Sequence, residues 1–306
     1  LHASATATPG GPCDYAESFF TREYRLNYTL HTYPKPVICW GHGIVMGGGL
    51  GVMAGCSHRV VTEATRIAMP EVTIALFPDV GGSWFLNHMP GKSGHFLALT
   101  GASINAADAL YTGLADRFIA SEHRDAVLAG LLQQQWSEDA ETNHGLVRHV
   151  LRPIAEESIG SCPAGQVEPH MGTIARLCDG DNVHQVINNI ISQQTDDPWL
   201  AKARDSLAHG SKLAALWIER QLFETRHASL KVVFQAEIQL ASNIVRHPEF
   251  AEGGRALRLD KDRSPAWLYG ASGDVPDEVL EGCFRAPWDE NPLAELNRTV
   301  TPADVN

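Results

Sequence analysis

The chain has 306 residues, 44% hydrophobic and 20% charged, the balance of a globular protein able to bury a sizeable core. Its net charge of −12, from 24 basic and 36 acidic residues, argues against a broad nucleic-acid or anionic-membrane surface, because either needs a cationic face. The six cysteines form no C-x-x-C pair and read as reduced thiols, the fourteen histidines include no H-E-x-x-H, and no stretch has transmembrane length or signal-peptide architecture.

The opening "LHASATATPGGP" is small, polar and Gly/Pro-bearing, so a loop or disordered arm is expected. From Asp14 to about Tyr33, Phe19, Phe20, Tyr24 and Leu26 recur among charges, which predicts an amphipathic helix with Asp14 as its cap. "KPVICW" reads as a short buried strand running into Gly41. A glycine run then leads into a small-residue helix, "GLGVMAGC", and "HRVVTEA" and "RIAMP" read as two further strands. Helices are predicted over 83–88, 94–100, 106–112, 124–135, 181–193, 198–209, 213–226 and 232–246. "AEGGRALRLDKDRSPAW" begins as another helix and ends in a loop, and the last 35 or so residues, rich in Pro, Gly and Asp, look irregular. Residues 1–120 are therefore expected to form an α/β core, 121–258 a helical region completing the same domain, and 259–306 a C-terminal loop and tail.

Two stretches carry chemistry. In "GIVMGGGLGVMAGC", Gly47, Gly48 and Gly49 stand where a glycine disfavours a helix by about 1 kcal/mol relative to alanine. A strand, a glycine turn and a helix N-terminus together present bare N–H groups to an anion, either a phosphate or the oxyanion of an attacked carbonyl. Gly49-x-Gly51-x-x-Ala54 imitates a dinucleotide fingerprint, but it starts well past the strand end at Trp40, so the phosphate reading is weak. In "AMPEVTIALFPDVGGSWFL", Glu71 and Asp79 each follow a proline and lie in apolar surroundings, as befits carboxyls of raised pKa doing acid/base or nucleophilic work. The plainer alternatives are Glu71 as an ordinary loop acid and Asp79 as the N-cap of the next helix.

"KPVICWGHGIVMGGGLG", "MPEVTIALFPDVGG", "LTGASINAADALYTGLAD" and "FAEGGRALRLDKDRSPAW" together resemble the crotonase (enoyl-CoA hydratase/isomerase) superfamily, most closely its 3-hydroxyisobutyryl-CoA hydrolase branch. The likeness runs from about Glu17 to Trp267. It implies a crotonase-like α/β core of ββα superhelix type with a helical C-terminal extension. It also implies an acyl-CoA thioester as substrate, with CoA part of the substrate and no separate cofactor or metal.

By the same resemblance Gly48 is an oxyanion-hole donor, and a side chain at the triplet would obstruct the thioester. Glu71 attacks the carbonyl or activates water, Asp79 hydrogen-bonds the 3-hydroxyl and manages the proton, and Glu23 contacts substrate. A solvated helix acid is the alternative for Glu23, and His42 reads as structural. Hydratases of the superfamily carry a further glutamate three residues beyond the oxyanion glycine; here that position is Gly51. The second oxyanion donor, worth about 3–4 kcal/mol in the transition state, lies in an "AGGD"-type segment with no counterpart here, which implies that it and the first strands precede Leu1. An enoyl-CoA isomerase, another acyl-CoA hydrolase and a non-catalytic member remain alternatives. Arg59, Arg66 and Lys92 are the cations considered for the CoA phosphates. No nucleic-acid or membrane partner is expected, self-association stays open, and the compartment expected is bacterial cytoplasm, or the mitochondrial matrix in a eukaryote.

Overall fold

The computed structural model describes residues 1–7 and 10–296. The front of the chain runs α1 (His2–Ala7), α2 (Asp14–Thr32), β1 (Ile38–Gly41), β2 (Ile44–Met46), α3 (Gly48–Gly55), β3 (His58–Val61) and β4 (Arg66–Ala68). A 3-10 turn at Glu71–Ile74 leads to α4 (Gly82–Asn87), α5 (Ser93–Thr100), α6 (Ala106–Tyr111) and β5 (Arg117–Phe118). The rest is helical: α7 (Arg124–Leu132), α8 (Ala140–Ser158), α9 (Met171–Leu177), α10 (Val183–Ile191), α11 (Pro198–His209), α12 (Lys212–Thr225), α13 (Leu230–Ile244), α14 (Pro248–Gly254) and α15 (Asp277–Cys283).

Five short strands form two small parallel sheets. One has the order β1-β3-β5, with Ile38 opposite His58; the other pairs β2 with β4, Ile44 opposite Arg66. The glycine helix α3 is the connection from β2 to β3, so the two sheets share the crossover that carries the expected oxyanion donor. All-parallel pairing requires such crossovers, and here each is short.

The main core gathers Phe20, Tyr24, Met53, Phe77, Phe96, Trp217 and Phe234, all at most 2% exposed. A satellite cluster of Val60, Ile119, Val127, Val147 and Leu151 fastens α7 and α8 to the sheet. No described helix is long and apolar enough to cross a membrane.

The amphipathic helix and the strands at 35–40, 58–64 and 66–70 appear close to their expected places, and Pro198–His209 matches residue for residue. Several expectations are corrected. The opening arm holds α1, whose small residues pack it on α14 and α2. The cap of α2 is Cys13, with no side-chain capping bond, and Asp14 is the first helical residue, where its charge suits the positive helix end. Leu26 turns outward at 52% exposure while Asn27 turns inward, so the buried stripe is Ala16, Phe20, Tyr24, Asn27. Helix α8 escaped notice because Gly145 and Pro153 interrupt its pattern; Pro153 is accommodated inside it, and Asp139 caps it through Thr142 N at 2.7 Å. The tail is not wholly irregular, since α15 packs on α12 and α13; its last residues, 297–306, fall outside the described chain.

Candidate active site

The glycine run makes one wall. Gly47 follows β2 with φ +52° and ψ −129°, a backbone that only glycine adopts without strain, and this turns the chain into α3. The first backbone bonds of the helix are Leu50 N to Gly47 O at 2.9 Å and Gly51 N to the same oxygen at 3.2 Å. The amides of Gly48 and Gly49 thus precede any intrahelical acceptor and remain available at the positive end of the helix. A Cβ on Gly48 would stand 2.6 Å from Glu23 Oε1, whereas one on Gly49 would meet nothing within 4 Å. Glycine is thus required at Gly47 by its backbone angles, whereas a Cβ at Gly48 would displace the carboxyl end of Glu23 and one at Gly49 would disturb nothing. Gly51 is different again: its Cβ would press 2.5 Å from Val80 Cβ and 2.9 Å from Asn27 Nδ2. Helix α2 and the Asp79 loop fill the space that a glutamate at position 51 would need.

The opposite wall is the loop between the 3-10 turn and α4. Three of its residues are left-handed: Ala75 (φ +51°), Val80 (φ +54°) and Gly81 (φ +86°). A β-branched residue there is a true outlier, of the kind that persists when surrounding structure holds it. Glu237 of α13 does the holding. Its Oε2 accepts the amide of Gly81 at 2.7 Å and its Oε1 the amide of Ser83 at 2.9 Å, with the residue fully buried. No sequence pattern pointed to Glu237, because a lone acid in the apolar stripe of a helix becomes meaningful only once the facing loop is known.

The carboxyls meet in a cleft of about 420 Å³ whose lining includes Glu23, Gly47, Gly48, Glu71, Asp79 and Arg258, a size that suits a small-molecule site. Glu71 is 4% and Asp79 5% exposed. Tyr24 Oη donates to Asp79 Oδ2 at 2.8 Å, while Glu71 Oε2 has no hydrogen-bond partner. Burial, then repulsion from Asp79, raises Glu71 well above the ordinary carboxylate range. Burial, then Glu23, raises Asp79 to about 7 against the opposing pull of the Tyr24 hydroxyl. Burial also lifts Glu23, and Glu237 to about 8. Burial of several carboxyls around one cleft disfavours their charged forms, so each of these acids holds its proton to higher pH than an exposed carboxyl does.

The plainer alternatives for both acids are overturned. Glu71 is buried and faces the cleft, and the cap of α4 is Gly81, not Asp79, with no side-chain capping bond. The dinucleotide-like glycines lie within α3. His42 bonds Thr62 Oγ1 at 3.0 Å outside the cleft lining. The cations considered for phosphate binding are elsewhere as well. Arg59 is held by Asp116 at 2.7 Å, Arg66 by the carbonyl of Thr65 at 2.7 Å, and Lys92 precedes α5; none lines the cleft. Arg258, which does, was missed because it sits in an exposed basic–acidic run that resembles a solvated surface.

A family model described as enoyl-CoA hydratase/isomerase matches residues 2–284. The chain belongs to the enoyl-CoA hydratase/isomerase family. This family member is 34% identical over 277 residues to the mitochondrial 3-hydroxyisobutyryl-CoA hydrolase of Gallus gallus, covering 90% of this chain and 70% of that one. The human protein of the same name is 34% identical over 272 residues, 89% of this chain and 69% of that one. Among solved structures, a carnitinyl-CoA dehydratase from Mycobacterium thermoresistibile superimposes with a TM-score of 0.81 at 31% identity, over 95% of this chain and 78% of the other. The fold is thus that of the enoyl-CoA hydratase/isomerase family, with a helical C-terminal region.

Proposed function

We propose that this family member hydrolyses an acyl-CoA thioester, 3-hydroxyisobutyryl-CoA in the first instance, to the free hydroxy acid and CoA, a step of valine breakdown. The observation that carries the reading is the arrangement of acids. Glu71 and Asp79 line one cleft with Gly48, while Gly51 has no room for the second carboxylate that hydration uses. The relatives named as 3-hydroxyisobutyryl-CoA hydrolases support the same substrate.

In this mechanism the ionised Glu71 attacks the thioester carbonyl, and the Gly48 N–H stabilises the tetrahedral oxyanion. The carbon–sulfur bond breaks, the departing thiolate takes a proton from Asp79, and an acyl–Glu71 anhydride remains. Water then adds to the anhydride, giving its proton to Asp79 and releasing the acid. In the one-step variant Glu71 instead takes a proton from the attacking water. Either route consumes one water per thioester. Asp79 also accepts the substrate's 3-hydroxyl, and Glu23 flanks the acyl group. The six cysteines are free thiols, which suits a reducing compartment, cytoplasmic or mitochondrial.

The test follows free thiol from 3-hydroxyisobutyryl-CoA and enoyl absorbance from crotonyl-CoA in parallel. Thiol release supports the hydrolase. Turnover of an enoyl-CoA without thiol release would place an isomerase or hydratase in its stead. A single turnover in heavy-oxygen water separates the two routes, because only the anhydride can leave label in Glu71.

A further inference from the structure

The cleft is acidic on its inner walls, through Glu23, Glu71 and Asp79, and the one arginine or lysine among its described lining residues is Arg258. That arginine rides on the π-helical turn Arg255–Leu259, a winding often found at functional sites. The turn's position is set by direct backbone packing: a Cβ on Gly253 would stand 2.4 Å from Ile74 O, so α14 rests on the same 3-10 turn that begins with Glu71. The acids close to Arg258 in sequence are already engaged. Arg255 pairs with Glu252 at 2.7 Å, Asp260 at 2.7 Å and Asp262 at 2.6 Å. Arg258 itself is exposed and has no ion pair or hydrogen bond among the described residues. Its charge nevertheless reaches the reacting end of the cleft, where it partly offsets the rise in the Glu71 pKa.

We infer that Arg258 is the anion anchor of the substrate site, pairing its guanidinium with an oxyanion carried by the acyl-CoA, either a phosphate of the CoA moiety or a carboxylate on the acyl group. A guanidinium fork suits both groups, which it can bind through two parallel hydrogen bonds. The acids on the same lining, Glu23, Glu71 and Asp79, repel an anionic ligand, and the Arg258 guanidinium provides the countercharge that draws substrate in. The inference rests on the acyl-thioester reading above, and its test includes a measurement that needs no turnover.

Free CoA is titrated calorimetrically into the protein and into Arg258→Gln. Both are then assayed with 3-hydroxyisobutyryl-CoA, with the same acyl group on N-acetylcysteamine, and with a methylmalonyl thioester of N-acetylcysteamine. Loss of a charge-assisted pair is expected to weaken the anchored ligand by about tenfold or more, mainly through KM, with partial rescue by Arg258→Lys. The uncharged N-acetylcysteamine thioester should change less than twofold. Loss confined to CoA and its thioester assigns the phosphate, and loss confined to the methylmalonyl thioester assigns the carboxylate. An equal loss on the uncharged thioester, or no loss with any ligand, overturns the anchor. If the wild type binds CoA in an Arg258-dependent way but turns over none of the thioesters, the anchor stands and the hydrolase reading fails.

Discussion

Tyr24 and Asp79 lie 55 residues apart in sequence and meet at 2.8 Å in the buried wall of the cleft, phenol to carboxylate. The bond ties the amphipathic helix α2 to the loop that carries Asp79. It also opposes burial by favouring the ionised form of Asp79. Tyr24→Phe should therefore raise the Asp79 pKa further. The pH–rate profile for thiol release should move its limb near pH 7 upward, and activity at pH 7 should change with it while KM moves little. An unmoved profile would mean that this limb belongs to another group.

The Glu71 carboxylate is buried with one oxygen lacking a partner, so Glu71→Gln keeps the shape and removes the proposed nucleophile or base. Thiol release should fall by about 10²–10⁴-fold, the usual worth of such a group. Circular dichroism should show an unchanged fold. Activity within tenfold of wild type would displace Glu71 from the centre of the mechanism.

Asp79 gives a pH dependence of stability with a defined sign. Its folded pKa, about 7, lies above the ordinary aspartate value of 3.8, so the folded state holds a proton that the unfolded chain has released between those limits. Its contribution is full below the lower value and is lost as pH rises through the upper, at up to about 1.4 kcal/mol per pH unit. Asp79→Asn removes that slope. In urea unfolding from pH 4 to 8 the variant should gain on the wild type as pH rises, and a constant difference would contradict the raised pKa.

Glu237 clamps the loop that presents Asp79 and acts on the reaction only through it. Glu237→Ala leaves the amides of Gly81 and Ser83 without their acceptor, at about 1–3 kcal/mol for each unsatisfied group. It should lower both Tm and kcat. Glu237→Gln, which restores one acceptor, should recover part of each. A variant that loses stability but keeps wild-type kcat and pH profile would limit Glu237 to a structural role.

Gly51 is the position at which hydration chemistry would be introduced. Gly51→Glu should fail to create crotonyl-CoA hydration and should destabilise the chain, since even its Cβ collides with Val80. Gly51→Ala should cost about 1–3 kcal/mol as an overpacked core, and adding Val80→Ala should return part of that loss. Hydration gained by the single Glu variant would show that the loop yields.

Much of the architecture is legible in the sequence because it is local. Hydrophobic period marks α2, α11 and α13, glycine density marks the turn into α3, and the two Pro-acid pairs mark Glu71 and Asp79. The resemblance to the crotonase superfamily rests on the glycine turn and the Pro-acid segment together with "LTGASINAADALYTGLAD" and "FAEGGRALRLDKDRSPAW". What tertiary structure alone decided is which groups face one another across long separations. That Glu23 lies against Gly48, that Gly51 has no space because Val80 fills it, and that Glu237 holds Gly81 and Ser83 are facts of packing. The raised pKa values have the same origin. Desolvation depends on what surrounds a carboxyl in three dimensions, so a sequence names the acids, and only the folded cleft decides which of them keep a proton.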